Sequence, residues 1–382
     1  MKVFRLFLKW ILIPFGLIIM LLYLFDYDYL IKAVRTIYLN GQTTAYLDDY
    51  KVFDNRTIAS AKPQPWPKHI AYNTTPATDS LNKLHEKYSS VAFLVIKDDS
   101  LWHETYFDGY DKDSKSNSFS MAKSMVSAML GRAIMDGKIK SLEQPVGDFY
   151  PEFSMGLAGK MTVGDLSSMS SGLNWDEAYY SPFSITTRAY FDENLRDVIL
   201  NLKVVEEPGQ YFKYLSGNTQ LLGMILEKAT GQTLADYLSE KFWKPIGAEN
   251  EAYWQLDSEE DGLEKAYCCI ASNARDFARF GKLYKDFGKW NGQQILDSSF
   301  VVKSITPRFK NDWMYGYGFW LLPYKGKNFF MLRGHLGQYV IVEPNDNLII
   351  VRLGHERAEK KPDDPFRDDI YGYIDETYKM LK

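Results

Sequence analysis

Ser118-Phe119-Ser120-Met121-Ala122-Lys123 is the stretch around which the chain is organised. A serine hydroxyl does not attack a carbonyl unaided at neutral pH, so it needs a base within hydrogen-bond reach. Positions three apart on a helix share a face, and Lys123 therefore falls beside Ser120. From Ala122 the chain continues through Met125, Val126, Ala128, Met129, Leu130, Ala133, Ile134 and Met135, apolar on most faces. That pattern predicts a buried central helix with Ser120 at its N-terminal end. Burial disfavours the ammonium form of Lys123, and only the free amine can accept the serine proton. Backbone N–H groups at the helix start could receive an oxyanion.

S-x-x-K is a short pattern, expected about once or twice by chance at this length. The chain contains a second copy, Ser80-Leu81-Asn82-Lys83. There Leu81, Leu84 and Tyr88 form one apolar stripe among polar residues, which predicts a surface helix capped by Ser80. A capping serine with a solvated lysine would equally explain Ser120 and Lys123, so the tetrapeptide alone does not decide.

At 382 residues, with 46% hydrophobic and 25% charged residues, the chain can bury a large core. A net charge of -4 gives no nucleic-acid footprint. Aromatic residues make up 15%, most of them expected in the core. Cys268 and Cys269 are adjacent, a spacing that predicts free thiols. His69, His85, His103, His335 and His355 are scattered, without a zinc-ligand pattern. A G-x-S-x-G elbow, a P-loop and a dinucleotide fingerprint are all missing from the sequence.

Trp10 to Phe25 is an uncharged, largely apolar run, preceded by Lys2, Arg5 and Lys9 and followed by Asp26 and Asp28. It lacks an A-x-A cleavage site, so residues 1–25 are expected to form an uncleaved signal anchor, a transmembrane helix. With the basic end inside, the remainder lies outside the cytoplasm, in the periplasm if the cell is Gram-negative. Residues 26–78, with Pro63, Pro65 and Pro67, are expected as an extended arm wrapping a catalytic domain over 79–382. In that domain the order is helix (Ser80 to Tyr88), strands (Val91 to Lys97 and Leu101 to Tyr106), and a helical insert over about 131–262. Helices are expected at Val163 to Met169, Thr219 to Thr230, Leu234 to Trp243, Ala274 to Phe287 and Asp368 to Leu381. Late strands are expected at Tyr317 to Leu322, Phe329 to Arg333, Gln338 to Glu343 and Leu348 to Leu353. Early and late strands split by a helical insert suggest one antiparallel sheet with Ser120 at its junction with the helices.

Two further segments carry candidate chemistry. Tyr214 lies on a loop before a helix, where a phenol near a buried amine can have a lowered pKa and relay protons. A loop aromatic packed on the core fits it as well. Arg333-Gly334-His335-Leu336-Gly337-Gln338-Tyr339 places two glycines around a histidine before a strand. Gly334 and Gly337 allow close approach of backbone to ligand, and an edge N–H could supply an oxyanion donor. His335 fits a structural histidine equally.

Jointly the three segments resemble the penicillin-recognising serine hydrolases, nearest to the class C β-lactamase-like branch that includes 6-aminohexanoate-dimer hydrolase. Ser120-Met121-Ala122-Lys123 matches S-x-x-K, Tyr214-Leu215-Ser216 stands for Y-x-N, and His335-Leu336-Gly337 stands for K-T-G. Further matches are Met169-Ser170-Ser171-Gly172-Leu173, Pro245-Ile246-Gly247 and Ala274-Arg275-Asp276. The resemblance implies an α/β (α+β) fold with a mainly antiparallel sheet flanked by helices, joined to an all-helical subdomain. It implies acyl-enzyme chemistry on an ester or amide without metal or organic cofactor. Ser120 attacks, Lys123 and Tyr214 move its proton, and the N–H groups of Ser120 and Gln338 form the oxyanion hole.

Departures from the family pattern narrow the substrate. His335 is mostly neutral at pH 7, and Leu336 has no hydroxyl with which to hold a substrate carboxylate. Ser216 cannot donate an amide N–H. Both changes weaken the case for β-lactams or D-Ala-D-Ala peptides. A β-lactamase or DD-peptidase, and an inactive homologue that only binds, stay open as alternatives. Trp175 and Asp176 are substrate-side candidates by position, although a packed Trp and a capping Asp explain them equally. The oligomeric state is left open.

Overall fold

The computed structural model describes residues 2–259 and 262–382, those of 2–9 by backbone alone. At its centre an antiparallel six-stranded sheet runs, edge to edge, Ser100–Tyr106, Ser90–Lys97, Leu348–Gly354, Tyr339–Glu343, Lys327–Arg333, Trp320–Tyr324. Two strands from early in the sequence thus pair with four from its end, Ile350 standing opposite Val95. Period-two alternation sorts the side chains to two faces. Leu94, Ile96, Val340, Val342 and Ile349 join the larger core, and Phe93, Val95, Ile341 and Ile350 join a second one.

Helices cover both faces, which is why even this antiparallel sheet reads as near-continuous apolar strands. Helix Ala274–Lys285 packs on the larger core, and Gly281 lets it come close, since a Cβ there would stand 2.9 Å from Val340 Cγ1. Helices Asp79–Lys87 and Asp368–Met380 cover the other face. Between early and late strands lie helices Val163–Ser167, Ile185–Phe191, Leu195–Leu200, Ser216–Thr230 and Leu234–Leu238. Helix Ala122–Met135 stands between this helical part and the sheet, buried on nearly every face.

Several expectations need correction. The strand predicted from Tyr317 begins at Trp320, because Tyr317 O and Gly318 O accept the Ser127 and Ser124 hydroxyls of the central helix (2.7 and 2.5 Å). Helix Asp79–Lys87 is capped not by Ser80 but by Thr78, whose hydroxyl accepts from Leu81 N at 3.1 Å. Cys268 and Cys269, predicted as free thiols, are joined to each other. The left-handed backbone at Cys269 (φ 75°) accompanies the pairing, a conformation that spacing does not disclose.

Residues 26–78 are not extended throughout. They hold helix Tyr29–Thr36 and strand Asn55–Ile58, which enters a second sheet with Ala252–Gln255, Ile270–Ser272 and Ser116–Asn117. Lys2–Leu24 is helical, with Pro14 inside it and large apolar side chains from Trp10 to Phe25 exposed. Among the described residues no single helix is long and apolar enough to cross a membrane. Trp10–Leu24 and Tyr29–Asn40 pass by length and composition only as a pair bent by 117°.

Candidate active site

Ser120 lies in a single 3-10 turn, Phe119–Met121, that runs into helix Ala122–Met135. Ahead of it Phe119 is held in the left-handed region (φ 45°), a conformation that costs a bulky residue about 1–3 kcal/mol and gathers at functional sites. Surrounding bonds hold it there. Phe119 N donates to Asn117 Oδ1 (2.8 Å), and Asn117 Nδ2 donates to the buried Asp49 (2.8 Å). Ser118 N donates to Ile270 O (2.7 Å), and Ile270 N donates back to Ser118 Oγ (3.0 Å).

Lys123, one turn on, is only 2% exposed. Its Nζ donates to Ser120 Oγ at 3.0 Å and to Tyr267 O at 2.8 Å, and lies 5.2 Å from the ring centre of Tyr214. Burial lowers its pKa to about 8, while Glu177 pulls the other way. About a tenth of the amine is therefore free at pH 7, far more than for an ordinary lysine, and the free amine is what a proton acceptor for Ser120 requires.

Tyr214 hydrogen-bonds Ser120, but its phenol is raised rather than lowered, first by burial and then by Glu177. The expected depressed phenol is corrected: burial and the Glu177 charge disfavour a phenolate by more than the Ser120 hydrogen bond and the charges of Arg333 and Arg357 favour it. As a neutral O–H, Tyr214 can pass a proton without standing as an anion.

Glu177 was not among the residues read from the sequence. Its carboxylate accepts from Ser216 N (2.7 Å), Ser216 Oγ (2.6 Å) and Tyr179 Oη (2.5 Å). It thereby caps helix Ser216–Thr230, whose own N-cap position is Leu215 and offers no side-chain acceptor. That missing cap was the available signal: an acceptor had to come from elsewhere. Ser216 in turn commits its hydroxyl to Glu177, beside Ser120.

His335 stacks on Tyr179 (centroids 5.5 Å apart, planes 11° apart), meets the edge of Phe119, and has Nδ1 3.0 Å from an Arg357 nitrogen. Burial and the charges of Arg357 and Arg367 lower its pKa to about 3, so it is neutral at pH 7. Its Nε2 has no hydrogen-bond partner among the described residues.

The glycines beside it serve protein contacts rather than a ligand. A Cβ on Gly334 would stand 2.3 Å from Ser118 O, and one on Gly337 (φ 86°) 2.2 Å from Arg352 Nη1. Gln338 N makes one long contact, 3.4 Å, with His335 O, while its side-chain amide bridges His335 O and Gly354. Gly334 therefore lets the strand edge, and with it the Gln338 N–H, approach the nucleophile turn.

Trp175 and Asp176 do not line the cleft. Trp175 is buried behind Gly217 and Tyr267, and Asp176 is exposed, contributing only its carbonyl to the Thr186 hydroxyl. Tyr179 and Tyr180 do line it.

Ser120 sits where two cavities meet. One, about 160 Å³, is mostly apolar and bounded by Ile37, Tyr38, Phe119, Pro182, Phe191 and Tyr267. The other, about 770 Å³, is bounded by Tyr214, Trp320, Arg333, His335, Arg357 and Arg367. Among the described residues no group of three or more His, Cys, Asp or Glu side chains is placed to hold a metal ion.

Residues 78–371 match the family model described as Beta-lactamase. The 6-aminohexanoate-dimer hydrolase of Paenarthrobacter ureafaciens is 26% identical over 231 residues, and the match covers 58% of each chain. The chain thus spans less than two thirds of that relative's length. Among solved structures, a Bacillus anthracis chain described as a candidate 6-aminohexanoate-dimer hydrolase superposes with a TM-score of 0.75 at 23% identity, covering 88% of this chain and 92% of its own. A family VIII carboxylesterase gives 0.59 at 18% identity, covering 80% and 98%. At these identities the structural likeness concerns the fold.

Proposed function

The chain belongs to the beta-lactamase family, and on that premise we propose that it is a serine hydrolase cleaving an ester or amide through an acyl-enzyme on Ser120. In this reading the free amine of Lys123 takes the Ser120 proton as the oxygen attacks the carbonyl carbon. The proton then passes, by way of Tyr214, to the departing oxygen or nitrogen as its bond to the carbonyl breaks. Water, giving its proton to the same pair, releases the acyl group. The N–H groups of Ser120 and Gln338 receive the oxyanion.

The observation that carries the reading is the 3.0 Å contact between Ser120 Oγ and a lysine amine buried to 2%. The names of a dimer hydrolase and a carboxylesterase among the similar proteins favour esters or amides over β-lactams. So does a neutral His335 where the penicillin-recognising pattern has a lysine.

Exposure of the folded protein to a fluorophosphonate is expected to add one adduct by intact mass, lost in Ser120→Ala, with no penicillin adduct. An adduct retained in Ser120→Ala, or none on folded protein, removes the assignment. Penicillin acylation would make it a β-lactamase or DD-peptidase.

We also propose that the exposed apolar segment Trp10–Phe25 anchors the chain in a membrane with the catalytic domain outside the cytoplasm. Recovery in the membrane fraction with the domain open to external protease is the expected result, and a freely soluble product in intact cells is the contrary one.

A further inference from the structure

The larger cavity beside Ser120 brings Arg333, Arg357 and Arg367 together, and none of the three has a carboxylate within ion-pair distance among the described residues. Several other inward-facing arginines are paired with carboxylates, whereas the fully buried Arg352 is satisfied by Ser90 and by backbone carbonyls. Arg275 holds Glu104 at 2.7 Å, Arg279 holds Asp276 at 2.9 Å, and Arg308 holds Asp165 at 2.7 Å. In the cavity the hydrogen-bond partners of these guanidinium groups among the described residues are neutral, the nearby Asp369 acting on Arg367 from beyond ion-pair distance. Arg333 donates to Pro365 O at 2.9 Å and stacks 3.8 Å from the Trp320 ring centre. Arg357 faces His335 Nδ1 at 3.0 Å. Arg367 donates to Ala358 O, and its buried Nε has no hydrogen-bond partner among the described residues.

Three like charges gathered in one cleft with no carboxylate in direct contact are unfavourable by themselves and favourable once an anion arrives. Lys213 and Lys360 also face the cavity, opposed by Glu177, Glu356 and Glu359. Glu177 is committed to Ser216 and Tyr179, and Lys213 is held by Glu206 at 2.7 Å. Glu177 keeps its charge because its partners are neutral donors, so with Lys213 offset by Glu206 the four other cations exceed the three carboxylates by one, which suits a single negative charge rather than a phosphate dianion. The cavity on the other side of Ser120 is mostly apolar.

Resting on Ser120 as nucleophile, we propose that the substrate carries a carboxylate on one side of its scissile bond and an apolar group on the other. Arg357 and Arg367, supported by Arg333, hold the carboxylate. Recognition thus passes from the motif position, where His335 is uncharged, to arginines outside the three motifs. Planar guanidinium groups pair with carboxylates through two parallel bonds, which fixes direction as well as affinity.

The test compares matched esters on the full chain: glutaric acid monophenyl ester against phenyl pentanoate, and 3-acetoxybenzoate against phenyl acetate. A charge-assisted contact predicts a kcat/KM ratio of about ten to a hundred in favour of the anionic member of at least one pair. The ratio falls towards one in Arg357→Gln/Arg367→Gln and is reduced by 0.5 M NaCl (about a 4 Å screening length). The ratio is blind to a general loss of activity, so a weakened variant still reports. No anionic preference in either pair, or a preference unchanged in the double variant, overturns the carboxylate site. If the neutral esters are still turned over and Ser120 still labels, the hydrolase reading survives that failure. If no ester is cleaved, calorimetric titration of Ser120→Ala with glutarate decides. Binding lost in the arginine variant supports the site, and no binding to folded protein overturns it.

Discussion

The chain contains the same four-residue pattern twice, and the two copies share almost nothing but spelling. Ser80 and Lys83 are exposed on helix Asp79–Lys87, while Lys123 is 2% exposed and reaches Ser120 at 3.0 Å. The first helix is amphipathic and lies on the outer face of the sheet, so the serine and lysine fall on its wet side. The second is apolar nearly all round and stands between sheet and helical part, so the same spacing points into a cleft. Spacing supplies proximity, and surroundings supply chemistry. The first helix even carries a strongly perturbed base of its own, His85, lowered to about 3 chiefly by burial. It hydrogen-bonds Ser90 at 3.0 Å between Phe93 and Phe107, and it lines neither cavity at Ser120. A shifted pKa therefore marks a candidate site only where a nucleophile and an opening accompany it.

The largest expected break in that comparison is Lys123→Met. Acylation by a fluorophosphonate or an ester should fall by about a thousandfold, the middle of the range for losing a general base, whereas Lys83→Met should leave the rate unchanged. In the wild type the acylation rate should rise with pH through the pKa of about 8 and then level off. Stability should rise with pH as well, over a higher range. Lys123 titrates near 8 when folded and near 10.5 when unfolded, so the unfolded chain binds more protons between those values. The resulting cost is fully present below pH 8 and fades towards pH 10.5. Lys123→Met should then gain about 1–3 kcal/mol at pH 7 in denaturant unfolding, shrinking above pH 8. A loss of stability at pH 7 would show that the amine is not held against burial.

The sequence made legible whatever periodicity and motif order control. The six strands of the main sheet, helix Ala122–Met135 and the gathering of Ser120, Tyr214 and His335 follow from local pattern plus chain order. Glu177 did not, because it serves a helix distant in sequence, and only the missing cap at Leu215 hinted at it. The arginines of the cleft were equally hidden, since Arg333 ends a strand, Arg367 precedes a helix and Arg357 lies in the loop between strand Leu348–Gly354 and that helix, where periodicity says nothing about pairing. Trp175 and Asp176 misled because position in a loop does not fix the direction of a side chain.

Glu177→Gln sharpens the contrast from the other side. Its charge raises the pKa of Lys123, so removing it should carry the acid limb of the acylation profile about half a unit to one unit lower. A neutral acceptor at the start of helix Ser216–Thr230 should also cost about 1 kcal/mol. An acid limb that stays in place while stability falls would reduce Glu177 to a cap alone.

His85 gives the matching experiment on the first helix. Its folded pKa of about 3 lies below the ordinary 6.5, so the unfolded chain takes up the extra proton as pH falls below 6.5. Stability is therefore lost on acidification, by about 2 kcal/mol at pH 5 for this residue. His85→Asn should flatten the difference in unfolding free energy between pH 7 and pH 5 by about that amount, with the acylation rate retained. A slope left unchanged would assign the acid sensitivity to His335 instead.

The smallest effect lies in the copy itself. Ser80→Ala should change stability by less than about 0.5 kcal/mol, because an exposed second-position serine makes no bond that water cannot replace. Thr78→Ala should cost about 1 kcal/mol in the same unfolding assay, since its hydroxyl accepts from Leu81 N at 3.1 Å and also donates to Glu376 (2.5 Å). The two substitutions remove comparable hydroxyls two residues apart, so their difference isolates the cap from side-chain polarity. If Ser80→Ala proved the costlier, the helix would start later than the structure places it, and the distinction between the two copies would narrow to burial alone.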